Sequence, residues 1–235
     1  MIHEFIRDRM KYLIHSSAME STYVEISVKN PLLDTSTIKD YPLVEGREVM
    51  LRATLEDGTA GECFTATPTP FRGTLEELLV KGEPSCLIAT FNALMRKNGF
   101  IDRTVHCTGN TPERCAELLS DYLELLGYDR VALLGFQPAF VRKLQETFGD
   151  RLQVTDLNPR NKGKKYGVDV FDANKCNKKI IQNSDVLVVT GSTVANGTFE
   201  DIMAMASDKR VIFYGTTIAG LAALMGVERF CPLSE

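Results

Sequence analysis

From residue 128 onward the chain alternates with few breaks between short apolar runs and helical stretches, and this alternation limits the fold more than any other feature. VALLG, LQVTD, DVLVVTG and RVIFYG read as strands of four to six residues. Between and after them PAFVRKLQETFG, NKCNKKIIQNS, TFEDIMAMAS and IAGLAALMG read as helices, and the short ERFCP closes the chain. Three of these strands are apolar along their whole length rather than at every second position, as strands buried on both faces are. Strand–helix–strand units with short links build a parallel sheet with right-handed crossovers. The expected sheet over residues 128–235 is therefore parallel and doubly wound, with VALLG and DVLVV at its centre.

The first hundred residues follow another pattern. Ile2, Phe5, Ile6, Met10, Leu13 and Ile14 recur at helical spacing. TYVEISV puts Val24, Ile26 and Val28 on one face of a strand. REVMLRATL and GECFTAT flank Asp57-Gly58, a strong hairpin signal. TPTPFRGT, with two prolines and a glycine, reads as a loop. Thr74 and Glu77 form a capping pair for the helix TLEELLV, and PSCLIATFNALMRK ends on Asn98-Gly99. These elements predict a small α+β unit over residues 1–105, a junction near 100–111, and a Rossmann-like domain over 106–235. Thr111-Pro112 opens the first helix after the junction, with Thr111 as its cap.

Composition narrows the function classes. The chain has 235 residues, 44% hydrophobic and 25% charged, enough for a sizeable core without disulfides. A net charge of −4 gives no global footprint for nucleic acid or an anionic membrane. Charges at Glu4, Arg7, Asp8, Arg9 and Lys11 break any signal-peptide core, so a cytoplasmic location is expected. Six scattered cysteines without a CxxC pair read as reduced thiols. The expected partner is a small-molecule or metal ligand, with self-association into a homo-oligomer left open.

In a doubly wound sheet, ligands sit beyond the carboxyl ends of the strands. Four strand ends carry small or hydroxylic residues there: Gly135-Phe136-Gln137-Pro138, Asp156-Leu157-Asn158-Pro159, Thr190-Gly191-Ser192-Thr193 followed by Asn196-Gly197-Thr198, and Gly215-Thr216-Thr217. One such loop is an ordinary turn; four in register suggest a polar pocket. The first lacks the glycines of a dinucleotide fingerprint, although Asp156 follows Gly135 by 21 residues, where a ribose-binding acid would stand. Thr198 with Asp201 is an acceptable helix cap, which explains Thr198 but not the density of polar groups before it. Asn92, in the otherwise apolar LIATFNALM, either bonds backbone or reaches a ligand. His106, Cys107, Cys115 and Cys63 are soft metal-ligand types at spacings that match no zinc pattern. Any metal is therefore expected to be weakly held by the protein alone. No nucleophile–base pair stands out, and His3, His15 and His106 fall outside the strand-end loops.

The stretches VALLGFQPAFVRKL, VTDLNPRNKG, DVLVVTGSTVANGTFED and VIFYGTTIAGLAALMG, with the weaker GREVMLRATLEDGTAGECF and FNALM, resemble a family known as a putative heavy-metal-chelation domain. The resemblance implies a Rossmann-like C-terminal domain preceded by a smaller domain like the N-terminal domain of enolases, with a site between the two. By motif match it carries over Asn92, Gly135, Asp156, Thr190, Gly191, Ser192, Thr193, Asn196, Gly197 and Thr198. Gly215 and Thr216 complete the candidate set from the fourth strand end. The implied cargo is a heavy-metal ion or metal complex. Two functions follow as expectations: a protein that binds a small polar ligand, metal-bearing or its organic precursor, between the domains; or an enzyme acting on a nucleotide-like or phosphorylated molecule, with Asp156 gripping a diol. No catalytic residue is singled out. A third is an interaction module with a vestigial cleft.

Overall fold

A computed structural model describes residues 1–30, 32–45 and 48–235. The first helix, α1 (Ile2–Ser16), buries Ile2, Ile6, Met10 and Ile14, the stripe read from the sequence. β1 (Tyr23–Val28), β2 (Val49–Leu55), β3 (Ala60–Thr65) and β4 (Phe71–Thr74) follow, then α2 (Leu75–Lys81) and α3 (Pro84–Lys97). The four strands form an antiparallel sheet in the order β3-β2-β1-β4. The hairpin turns at Asp57-Gly58 as expected, with Gly58 at φ 84°. Arg47, the first residue of the expected REVMLRATL strand, lies outside the described residues, as does Gly46.

Some expectations for this half need correction. Half of TPTPFRGT is not loop: Phe71–Thr74 pairs with β1 as an edge strand, where Pro68 and Pro70 just before it cost no ladder bond. Val24 and Ile26 are buried, but Val28, at the end of the same face, is 40% exposed.

The second half begins with α4 (Thr111–Leu125), whose cap is Asn110 rather than Thr111. Then come β5 (Val131–Leu134), α5 (Pro138–Phe148), β6 (Leu152–Asp156), β7 (Gly163–Lys165), β8 (Val168–Asp172), α6 (Ala173–Asn183), β9 (Val186–Thr190), α7 (Phe199–Met205), β10 (Arg210–Tyr214), α8 (Ala219–Met225) and β11 (Glu228–Phe230). The sheet order is β11-β10-β9-β5-β6-β8-β7. All neighbours are parallel except β7, which pairs antiparallel with β8 at the edge. VALLG and DVLVV are adjacent and central, as the uniform apolarity of β5 and β9 requires. β7 and β8 were not expected: GKKYGVDVFD is polar, and only Val168 and Val170 face inward.

Alternate residues of β5 face different cores. Val131 and Leu133 pack with α4 and α5. Ala132 and Leu134 join a core that includes α6, α7 and α8 and runs on through α3 into the four-stranded sheet. α3 thus touches β2 and β3 on one side and α8 on another. This shared core sets the carboxyl edge of the parallel sheet against β2 and β3.

Candidate functional site

A cavity of about 210 Å³ lies at that carboxyl edge. From the parallel sheet it is lined by Gly135, Asp156, Thr190, Ser192, Thr193, Asn196, Thr198, Gly215 and Thr216, the candidate residues of all four strand ends. Its opposite wall comes from the first half: Leu33, Tyr41, Pro42, Leu43, Glu48, Met50 and Phe64. His106, Cys107, Cys115 and Cys231 also line it. Gly191, Gly197 and Asn92 are not among the lining residues.

Each loop is shaped by its own hydrogen bonds. Asp156 ties three segments together: Oδ2 accepts from the Phe136 amide (2.6 Å), and Oδ1 accepts from the Asn158 amide (2.7 Å) and Asn161 Nδ2 (3.1 Å). A carboxylate so engaged holds the first two loops in place and has little capacity left for a diol. Gly135 takes φ 105°, and a Cβ there would lie 2.5 Å from Thr190 Cγ2, so only glycine lets these two loops meet. Tyr214 Oη closes the same joint by donating to the Gly135 carbonyl (3.0 Å).

In the 190–198 loop, Thr190 Oγ1 accepts from the Ser192 amide (3.3 Å), and Thr193 Oγ1 donates to the Thr190 carbonyl (2.9 Å). Asn196 Oδ1 accepts from both the amide and the hydroxyl of Thr198 (3.1 and 2.8 Å). Thr198 therefore makes no side-chain cap to α7, and the expected pairing with Asp201 is absent. Gly197 takes φ 78°, the turn conformation, with no atom near its missing Cβ. Gly191 is needed because Ile218 and the Tyr214 carbonyl lie about 3.0 Å from where its Cβ would be. Asn196 Nδ2, on an exposed residue at the cavity rim, bonds to no described group. An Asn196→Asp variant keeps the acceptor and removes those donors. Its melting temperature is expected to stay within about 2 °C of wild type, whereas Asn196→Ala, which also loses the turn, should cost about 1 kcal/mol; equal melting curves for Ala and wild type would contradict the turn assignment.

Asn92 is fully buried and its amide is saturated. The two hydrogens of Nδ2 are shared among the carbonyls of Glu62 (2.9 Å), Thr216 (3.0 Å) and Thr217 (3.1 Å), and Oδ1 accepts from the Gly220 amide (2.7 Å). Of the two roles open to it, backbone bonding is the one the structure contains. It braces β3 against the Gly215-Thr216-Thr217 turn, helped by Thr217 Oγ1, which accepts from the Phe64 amide (2.9 Å).

The segment after α3 brings in the residues that strand-end reasoning passed over. Glu62 is buried, pairs with Arg52 (2.7 Å) and accepts from the His106 amide (2.5 Å). Burial pushes its carboxyl above the usual range, against the pull of that amide and of Arg52. His106 Nδ1 lies 2.7 Å from the Cys107 carbonyl, which can only accept, so Nδ1 carries the proton. Burial also holds the imidazolium pKa below the ordinary histidine value. The unfolded chain therefore takes up this proton first as pH falls. The stability from keeping His106 neutral is complete above about pH 6.5 and is lost as pH falls through the folded-state pKa. Wild type should lose more stability between pH 7 and 5 than His106→Gln; parallel curves would refute the shift.

The thiols divide by location. Cys63 is buried against the Phe64 carbonyl, away from the cavity, and burial raises its pKa. Cys107 and Cys115 line the cavity and are also raised, Cys115 to about 11, chiefly by burial and partly by neighbouring thiols that include Cys231. Cys231 escaped sequence reasoning because it stands alone near the chain end, with no partner spacing. Among the described residues, no three His, Cys, Asp or Glu groups converge to hold a metal ion. A bare divalent ion is accordingly expected to leave on dialysis against a chelator; zinc or nickel retained at one per chain would contradict this.

The architecture is that of a two-sheet α/β protein with a cavity at the carboxyl edge of a parallel sheet. Residues 118–227 match the DUF364 family model, described as "Putative heavy-metal chelation", which bears out the resemblance seen in the strand-end motifs. Among solved structures, a DUF364 protein of unknown function from Pyrococcus horikoshii is similar at 17% identity and TM-score 0.59, covering 92% of this chain and 80% of its own. A second, from Desulfitobacterium hafniense, is similar at 12% identity and TM-score 0.55, covering 95% of this chain and 85% of its own. At these identities the likeness concerns the fold. No curated protein matches the chain. No helix among the described residues is long and apolar enough to cross a membrane.

Proposed function

We propose that the chain binds a small ligand carrying a heavy-metal ion in the cavity between its two sheets. The observation that carries this reading is the kind of donors around the cavity. Neutral imidazole, thiols, hydroxyls and several amides line it, together with the carboxylates Glu48 and Asp156, and no lysine or arginine is among the described lining residues. A phosphorylated or nucleotide-like ligand would bring several negative charges to a cavity with no cation among its described lining residues, and desolvating an uncompensated charge is expensive. Asp156, the residue that would grip a ribose, is committed to its own loops. The enzyme reading is therefore the weaker one. A cationic or neutral metal complex suits the donors present. Because no three protein ligands converge among the described residues, such a complex has to bring most of its own coordination sphere.

The test is a thermal-shift series with defined probes. Copper(II)–iminodiacetate and nickel(II)–iminodiacetate, both neutral complexes, should raise the melting temperature, while inorganic phosphate and AMP at equal concentration should not. Binding at a hundred times Kd contributes about 2.7 kcal/mol. Stabilisation by phosphate or AMP and not by the chelates would overturn the proposal. Asn196→Asp, which retains the loop and loses two donors, should reduce the shift.

A further inference from the structure

Two atoms on residues that line the cavity lack partners, and they differ in character. His106 Nε2 is the bare nitrogen of a ring whose other nitrogen donates to the Cys107 carbonyl, and no described group bonds to it. Thr216 Oγ1 is buried, on a residue 2% exposed, and also has no partner. Both are anchored through one network: Glu62 accepts from the His106 amide through its carboxylate, and its backbone carbonyl, like that of Thr216, accepts from Asn92 Nδ2. The His106 ring and the Thr216 backbone are thus held before any ligand arrives. A buried hydroxyl without a partner costs free energy that a ligand hydrogen bond returns. An imidazole whose Nδ1–H is held by a backbone carbonyl is also in the tautomer and orientation that metal-ligating histidines adopt.

Resting on the metal-complex reading above, we propose that His106 Nε2 supplies the protein's own ligand to the metal of the bound chelate, and that Thr216 Oγ1 hydrogen-bonds its organic scaffold. One fixed imidazole suits a chelate that leaves a coordination position open, and it explains how a cavity without a three-donor set can still select for metal. Burial supports the assignment, because it keeps the ring neutral and its lone pair available.

The chain contains three histidines, which makes the test direct. In a His3→Gln/His15→Gln background, His106 is the sole imidazole. Copper(II)–iminodiacetate should bind this variant once per chain, with the electron-spin-echo modulation of a single coordinated imidazole. Adding His106→Gln should abolish that modulation and weaken binding at least tenfold, with melting temperature as the control for folding. Thr216→Val should weaken binding and leave the modulation intact. If the probe binds with and without His106 equally, the assignment of His106 fails while the cavity can still be a metal-complex site. If the probe binds neither variant nor wild type, both the assignment and the functional reading fail.

Discussion

Replacing Asn92 with leucine should lower the unfolding free energy by about 4 kcal/mol. Three carbonyls and one amide lose their partner in a fully buried position. Each buried polar group left unsatisfied costs about 1–3 kcal/mol, and the four are not independent. For a chain of this size the loss corresponds to a drop in melting temperature of roughly 8–16 °C. Ligand binding should weaken as well, because the Thr216 turn is no longer held. A variant with unchanged stability and lost binding would mean that Asn92 serves the ligand, contrary to its saturated hydrogen bonds.

Gly61→Ala is expected to be of similar severity for a different reason. The added Cβ would lie 2.3 Å from the Ala93 amide nitrogen, 2.5 Å from the Ala89 carbonyl oxygen and 2.8 Å from the Asn92 carbonyl carbon. All three belong to the backbone of α3, so no rotamer change relieves the clash and the helix itself must move off β3. Overpacking of this kind costs about 3 kcal/mol or more. Moving α3 also pulls Asn92 from the turn it braces. The double variant Gly61→Ala/Asn92→Leu should therefore cost clearly less than the sum of the two singles. Additive losses would mean that the helix can shift without disturbing Asn92.

These two positions show what sequence could and could not convey. The parallel core was legible because β5 and β9 are apolar at every position, a pattern that only burial on both faces explains. The four polar strand ends were legible because such a sheet collects its strand-end loops on one side. β7 and β8 were not, since an edge hairpin with one buried face carries too few apolar residues to stand out. Asn92 was ambiguous because an amide in an apolar helix looks the same whether it binds backbone or ligand. Only the position of the 216–217 turn across from it decides. The opposite wall was invisible for a related reason. Tyr41 reaches the cavity from a segment without periodicity, held by Tyr41 Oη donating to Glu113 (3.1 Å) and by Tyr166 donating to Asp40. His106 and Cys107 are neighbours in sequence, but Cys231 is far from them along the chain, and only the fold brings it to the lining of the same cavity. Motif spacing records ligands that are neighbours in sequence, and these mostly are not.

The most direct measurement of the central claim is native mass spectrometry, coupled to elemental analysis, of protein incubated with copper(II)–iminodiacetate and then passed through a desalting column. Wild type should be compared with Ser192→Trp, which places a bulky indole on the 190–198 loop. The account predicts one copper–chelate adduct per wild-type chain, released intact on denaturation and missing from Ser192→Trp. The same adduct on both proteins, or on neither, would contradict it.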